Sequence, residues 1–194
     1  MKLSSILTSI VLAASHCNLA LGTTKQFNAS FDDLPAIPEE GRLSPVGIYQ
    51  QISYENFDLS DPAIAVAGVR PHSTPNYIFG VGTASSPAAQ TVVYKDSPLR
   101  SLSLKSLYYG CQTNLGQAAA SVPVSCTITA TGFRAGKQVA KQDFKYSPAK
   151  GLFASLAFGE FNAAFRGLTN VTYAQSPSTL TEFLFDNIVG TTTS

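Results

Sequence analysis

The alternation of apolar and polar residues is the feature that most constrains the fold of this chain. Between residues 121 and 132, every second residue is apolar, and the residues between them are Pro, Ser and Thr. Successive side chains of an extended strand point to opposite faces, so this pattern predicts a strand with one buried face. The alternation indicates a β protein.

Nine further runs of β-branched and aromatic residues predict strands in the same way, and Gly, Pro and Asn separate them. These runs are residues 25–31, 46–57, 64–69, 77–81, 91–95, 99–109, 139–146, 170–173 and 182–189. Helical patterning is limited to short turns at 148–154 and 161–166. We therefore predict an all-β protein, an antiparallel two-sheet jelly-roll-like sandwich of about ten strands.

The amino-terminal residues are typical of a secretory leader. Lys2 precedes an uncharged, mostly apolar run at 3–14, and small residues near Gly22 fit signal peptidase. The run is shorter than the roughly 20 apolar residues that span a bilayer. We predict a signal peptide at 1–22, a single β-sandwich domain at 23–194, and secretion to the extracellular space or cell wall.

The charge balance argues against nucleic acid as a partner. The chain has 13 Lys and Arg against 12 Asp and Glu, and removal of Lys2 with the leader leaves 12 against 12. Binding to nucleic acid depends on a strongly basic surface. We expect a monomer with no nucleic-acid or membrane partner.

The cysteines and sequons agree with export. Cys111 and Cys126 remain after the leader is removed, and in an oxidising compartment we expect them to form a disulfide, worth about 3 kcal/mol. Asn28 and Asn170 each begin an Asn-x-Ser/Thr triplet, so both are candidate glycosylation sites.

Tyrosines are the candidate ligand-binding residues. The chain has eight tyrosines and no tryptophan, and flat aromatic faces bind the apolar side of sugar rings. We select Tyr77, Tyr108 and Tyr109, although each could instead pack in the core. Tyr108 and Tyr109 must face opposite ways in a strand, so only one of them can join the core.

No residue is assigned a catalytic role. His72 is the one histidine of the chain beyond the leader, and we interpret it as a loop residue; with Arg70 and a tyrosine it could also serve a lyase. The acidic residues suggest no catalytic pair by their spacing. They include Glu55, Asp58, Asp96, Glu160 and Glu182. Residues 134–150, with five basic residues and one acidic residue, predict a solvated face or a surface that attracts an anionic polysaccharide.

Acidic residues near the two ends of the predicted sandwich suggest a metal. Asp32 and Asp33 follow the first strand, and Asp186 lies on the last. Terminal strands often pair in sandwiches, so these carboxylates could hold a structural calcium ion. On spacing alone, Asp32, Asp33 and Asn187 more often cap turns or bond backbone amides. No other cofactor is expected.

Four segments carry a resemblance to a known family. They are residues 31–34 (FDDL), 101–111 (SLSLKSLYYGC), 122–132 (VPVSCTITATG) and 185–188 (FDNI). Together they resemble a family of small secreted fungal proteins of unassigned function, which implies export and the fold rather than an activity. More remotely, the chain is similar to jelly-roll carbohydrate-binding modules, in which Asp33 and Asp186 would match positions that share a structural calcium ion.

These observations favour a secreted, non-catalytic β-sandwich protein that binds carbohydrate at or outside the cell wall. A polysaccharide lyase or glycoside hydrolase on the same fold is one alternative. A secreted interaction protein that acts on a host or neighbouring cell is another.

Overall fold

The computed structural model describes residues 22–35, 44–60, 67–80, 85–113, 121–176 and 181–194. The predicted signal peptide, except for Gly22, lies outside these residues, as do residues 64–66 and Val81 of two predicted strands. Within the described residues the chain forms thirteen strands and no helix. The strands are β1 (Thr24–Ala29), β2 (Ser44–Tyr49), β3 (Ile52–Ser60), β4 (Gly68–Arg70), β5 (Tyr77–Gly80), β6 (Ala88–Thr91), β7 (Ser101–Thr113), β8 (Cys126–Arg134), β9 (Lys137–Tyr146), β10 (Phe153–Ser155), β11 (Ala157–Glu160), β12 (Asn170–Ser176) and β13 (Thr181–Thr193).

Eleven of the strands form one antiparallel sheet. Its main path runs β11-β7-β13-β5-β3-β6-β12-β8-β9, with β1 added beside β13 and β2 added beside β3. The two remaining strands, β4 and β10, pair in parallel as a small second sheet. The prediction of an all-β, mainly antiparallel protein is confirmed. No helix that could cross a membrane occurs in the described part of the chain.

The ends of the main path come close together through the side chain of Gln142 on β9. Its Nε2 donates to the carbonyl oxygen of Glu160 on β11 at 2.7 Å, and its Oε1 accepts from the backbone N–H of Asn162 at 2.7 Å. Tyr109 of β7 adds a third contact, because its hydroxyl donates to the carbonyl oxygen of Lys145. The sheet is therefore nearly closed.

Aromatic side chains fill the interior between the curved parts of the sheet. Phe57 of β3 contacts four other rings at centroid distances of 5.9 to 6.0 Å, those of Tyr54, Tyr173, Phe183 and Phe185. Such pairs contribute about 0.5–1.5 kcal/mol each beyond the burial of their area. The core thus rests on rings from β3, β12 and β13.

The hairpin of β8 and β9 shows how the alternating pattern produces structure. Ile128 and Ala130 are buried on one face, whereas Thr129 on the other face is only half-buried. The turn uses Ala135 and Gly136, both at positive φ, which suits a tight two-residue connection. β8 begins at Cys126 rather than at residue 121, because Pro123 makes only an isolated bridge to Gln112.

The predicted disulfide is confirmed. Cys111 near the end of β7 is bonded to Cys126 at the start of β8, with 6.2 Å between their Cα atoms. Both residues are buried. The bond joins two strands that are not neighbours in the sheet order.

Three secondary-structure predictions are wrong. The single strand predicted at 46–57 is a hairpin of β2 and β3, because Gln50 and Gln51 adopt positive φ values of 50° and 66°. Residues 91–95 contribute only Thr91 to β6. The predicted helical turns are absent from the described residues: the first region leads into β10, and the second is a non-helical turn.

Candidate functional site

Three strands align the side chains of the site in one row. Phe158 of β11 lies opposite Tyr108 of β7, and Tyr108 lies opposite Asp186 of β13. The core residues Tyr109 and Phe185 are the sequence neighbours of Tyr108 and Asp186, so the row lies on the other face of these strands. The alternation of β7 thus directs Tyr109 inward and Tyr108 toward the opposite side.

The segment that follows β4 crosses this second face. The Val69 side chain packs closely against the backbone of Gly110. If Gly110 carried a Cβ atom, that atom would lie 3.2 Å from the Val69 side chain. The His72 imidazole then stacks on the Tyr108 ring, with 3.4 Å between centroids and 10° between planes. Phe158 also contacts Tyr108, at a centroid distance of 5.3 Å and with 58° between the ring planes.

The buried carboxylate of Asp186 fixes the His72 loop. Its Oδ2 accepts hydrogen bonds from the backbone N–H groups of His72 at 2.7 Å and Ser73 at 2.8 Å. Its Oδ1 accepts from the backbone N–H of Asn187 at 2.7 Å. With its nitrogen directed toward Asp186, the Asn187 side-chain amide also donates to Oδ1 at 3.0 Å. This network holds the loop in the position that places His72 on Tyr108.

A backbone irregularity at Asn187 supports this arrangement. The pairing of β13 with β7 shifts register between Asp186 and Val189, and Asn187 has a φ of 44°. Bulges of this kind redirect neighbouring side chains. Here the bulge brings the side-chain amide of Asn187 into contact with the carboxylate of the preceding residue, Asp186.

The environment of Asp186 opposes its ionisation. Burial raises the pKa of Asp186 to about 6, the backbone donors of Ser73, Asn187 and His72 act in the opposite direction, and the nearby Asp32 carboxylate raises the pKa further. Desolvation therefore outweighs the hydrogen bonds.

An arginine two positions before His72 contacts a further phenylalanine ring. The Arg70 guanidinium lies over the Phe153 ring, 4.3 Å from its centroid. Phe158 is 54% exposed and Phe153 is 38% exposed, unusually large values for phenylalanine. We call the set of Arg70, His72, Tyr108, Phe153 and Phe158 the aromatic platform.

A buried polar cluster lies on the same face of β7 and β13, four residues from Tyr108 and Asp186. Gln112 Nε2 donates to Glu182 Oε1 at 2.6 Å and to the Tyr77 hydroxyl at 3.3 Å, and Gln112 Oε1 accepts from the backbone N–H of Val69 at 3.1 Å. Burial raises the pKa of Glu182, and the Gln112 hydrogen bond opposes the rise. The cluster ties β4 to the sheet beneath the loop.

The structure separates the three tyrosines predicted to bind a ligand. Tyr108 is half-buried and belongs to the aromatic platform. Tyr77 and Tyr109 are 3% and 7% exposed, and both are occupied by internal contacts. Among these three residues, Tyr108 is the one whose ring reaches the surface.

The two predicted calcium ligands have different partners. Asp33 Oδ1 accepts a hydrogen bond from the Tyr49 hydroxyl at 2.6 Å, whereas both oxygens of Asp186 accept from amide donors. Asp32, not Asp33, is the acidic residue close enough to affect the pKa of Asp186. A calcium site needs about six to eight oxygen ligands, and the described residues contain no group of three His, Cys, Asp or Glu side chains placed to hold a metal. Asp33 and Asp186 share no hydrogen-bond partner among the described residues, and the structural calcium ion stays a prediction.

The two predicted glycosylation sites differ in accessibility. Asn28 is exposed on β1. Asn170 is half-buried on β12, and its Oδ1 is buried without a hydrogen-bond partner among the described residues. Asn28 is therefore the better placed acceptor in the folded protein.

Sequence reasoning missed Phe153 and Phe158 as site residues. They lie in β10 and β11, two short strands that were not predicted, since small residues such as Ala154, Ala157 and Gly159 obscure the alternation. The available signal was the pair of phenylalanines among these small residues. A core strand would surround such rings with further large apolar residues.

A cleft of about 380 Å³ lies elsewhere, between β1 and the β2–β3 turn. It contains none of the predicted site residues. Its lining consists of Lys25, Gln26, Phe27, Gln50, Gln51 and Thr192.

Comparison with known proteins identifies a structural neighbour. No protein-family model matches the sequence, and no curated protein matches it. Among solved structures, a DUF4465 family protein from Bacteroides caccae ATCC 43185 aligns with a TM-score of 0.54 and 14% sequence identity. The alignment covers 86% of this chain and 98% of the Bacteroides protein. The two proteins share a fold. At this identity the likeness to the DUF4465 family protein concerns the fold alone.

Proposed function

We propose that this protein is a secreted, non-catalytic β-sandwich protein that binds carbohydrate through the aromatic platform. The observation that carries the proposal is the row of Phe158, Tyr108 and His72, in which an exposed ring adjoins a stacked pair. Sugar rings have an apolar face that packs on such rings, and polar groups at the rim then fix their orientation. His72 and Arg70 supply those polar groups.

The geometry of the platform favours recognition of an extended chain. Its side chains come from β4, β7, β10, β11 and the segment after β4, so they spread over a surface. Phe153 and Phe158 are five positions apart in the sequence and lie on two different short strands. Because the rings lie on rigid strands, little conformational entropy is lost when a ligand binds.

The remaining parts of the proposal concern the cellular setting. The buried disulfide is typical of a protein from an oxidising compartment, which agrees with the predicted leader. We infer a jelly-roll-like arrangement of the sheet, membership of the secreted fungal family, action outside the cell or in its wall, and a monomer.

A glycan array tests the function. We expect the mature protein, residues 23–194, to bind at least one polysaccharide class. Phe158→Ala should reduce this binding about tenfold or more, as expected for loss of a central aromatic contact. Ile48→Ala is the matched control, because Ile48 is a 61% exposed apolar residue on β2, and it should leave binding unchanged.

A reducing-end assay on the bound polysaccharides separates binding from catalysis. No new ends are expected. If the wild-type protein produces new reducing ends and the His72→Ala variant does not, the protein is a lyase or hydrolase. This result would overturn the non-catalytic part of the proposal. Absence of binding to any glycan would overturn carbohydrate recognition and favour an interaction protein.

A further inference from the structure

The guanidinium of Arg70 is a cation whose charge is not neutralised within the described structure. Arg70 is exposed at the end of β4, and its recorded contact is with the face of Phe153. No carboxylate among the described residues pairs with it. Stacking on a ring holds a guanidinium in place and leaves its N–H edge available for hydrogen bonds.

Arg134 provides a contrast within the same chain. Its Nε donates to the carbonyl oxygen of Gly167 at 3.0 Å, and its Nη2 donates to that of Arg166 at 2.8 Å. These donors join the β8–β9 turn to the loop before β12. Arg134 thus has a structural role, whereas the donors of Arg70 are available to a ligand.

The position of Arg70 relates its charge to the rings. It lies two positions before His72, whose backbone is anchored by Asp186 and whose imidazole covers Tyr108. The Asp186 carboxylate is fully buried below the loop and bonded to amide donors. The Asp186 carboxylate is thus directed inward, toward its amide donors.

We propose that the aromatic platform binds polysaccharides whose sugar rings carry carboxylate groups, with Arg70 as the residue that binds the carboxylate. This inference rests on the proposed carbohydrate-binding function. A planar guanidinium can form two parallel hydrogen bonds to a carboxylate. The rings of Phe158 and Tyr108 provide the apolar contact to the same or the next sugar.

Glu160 limits the direction in which an acidic polysaccharide can lie on the aromatic platform. It is exposed on β11, two residues from Phe158 and on the same face. A carboxylated sugar is repelled there and attracted at Arg70. The acidic ring therefore occupies the Arg70 end of the platform.

The test compares two probes with the same sugar chain whose carboxyl groups are either free or methyl-esterified. Polygalacturonate and its methyl ester have the same sugars, and only the first has free carboxylates. We expect the wild-type protein to bind polygalacturonate about tenfold more tightly than the ester, the scale of one charge-assisted bidentate contact. Added salt should reduce this preference.

Variants assign the preference to Arg70. Arg70→Gln should bind both probes equally, and Arg70→Lys should retain only part of the preference because it cannot bind bidentately. Phe158→Ala should weaken both probes by the same factor. Lys141→Gln, which removes an exposed charge from β9, is the control for attraction to basic residues in general and should retain the preference.

The outcomes distinguish this inference from the proposed function. Equal binding of the two probes by the wild-type protein, or a preference that Lys141→Gln abolishes as fully as Arg70→Gln, overturns the role of Arg70 and leaves carbohydrate binding standing. Binding of neutral polysaccharides without binding of polygalacturonate also overturns the role of Arg70 and leaves carbohydrate binding standing. Failure to bind any polysaccharide removes both.

Discussion

The Asp186 carboxylate and the His72 backbone N–H are joined by a hydrogen bond of 2.7 Å across 114 residues of sequence. Through this bond the last strand of the sheet positions a loop near the middle of the chain. The loop in turn places the imidazole on Tyr108. A buried residue that cannot contact a ligand thus determines the shape of the surface that we propose binds one.

Asp186→Ala should destabilise the protein strongly. The substitution leaves the backbone N–H groups of His72, Ser73 and Asn187 without their acceptor, and each unsatisfied buried donor costs about 1–3 kcal/mol. We expect the free energy of unfolding to fall by about 3–5 kcal/mol in urea titrations.

Asp143→Ala is the matched control for that experiment. The Asp143 carboxylate accepts from the Thr129 hydroxyl at 2.7 Å on the exposed face of β9. We expect a loss of less than about 1 kcal/mol. Equal losses for the two variants would show that the loop does not depend on Asp186.

The buried Glu182 should make stability depend on pH. Its pKa is raised from 4.5 by burial, so the folded state holds the proton to higher pH than the unfolded state does. The stability from this group is fully present below pH 4.5 and is lost as the pH rises through the raised pKa. Glu182→Gln, which keeps an acceptor for Gln112, should therefore gain stability relative to the wild type between pH 4.5 and pH 7.

Urea unfolding of both proteins across this pH range measures the effect. Asp186 also titrates here, but it is present in both proteins and its contribution cancels in the difference. A difference in unfolding free energy that stays constant with pH would contradict the raised pKa of Glu182.

The disulfide should contribute substantially to stability. Cys111 and Cys126 are separated by 15 positions, and closing a loop of this length stabilises a fold by about 3 kcal/mol. A reductant should lower the urea midpoint of the wild type and have no effect on the double variant Cys111→Ala and Cys126→Ala. An unchanged midpoint for the reduced wild type would refute the prediction.

Glycosylation should occur at Asn28 rather than at Asn170 in folded protein secreted from a glycosylating host. A glycan on Asn170 would have to leave from a side chain whose oxygen is buried. Asn28→Gln should remove the mobility shift produced by an endoglycosidase, and Asn170→Gln should not. The reverse result would mean that the outer face of β12 is more open than described.

The sequence predicts those strands in which alternation and turn chemistry agree. β8 and β9 satisfy both conditions, because their inward residues alternate and Gly136 lies in the turn. The hairpin of β2 and β3 does not: Gln50 and Gln51 adopt positive φ values that favour Gly or Asn, so local preference gave no signal for a turn there. Tertiary contacts, including the Tyr94 hydroxyl bonded to the Gln51 carbonyl oxygen, accompany that conformation.

The candidate site was predictable only in part. The alternation of β7 required Tyr108 and Tyr109 to face opposite sides, and the structure shows which of them leaves the core. The stacking of His72 depends on the pairing of β13 with β7 and on the path of the loop after β4. Contacts between residues so distant in sequence are set by the tertiary fold, and periodicity contains no information about them.

The side chain of Gln142 bonds backbone groups at an edge of the main sheet. Strand edges with free N–H and carbonyl groups can recruit the edge of another molecule and begin a fibril. By occupying the Glu160 carbonyl and the Asn162 N–H, one amide side chain takes up two backbone groups that would otherwise be open to the strand of another molecule.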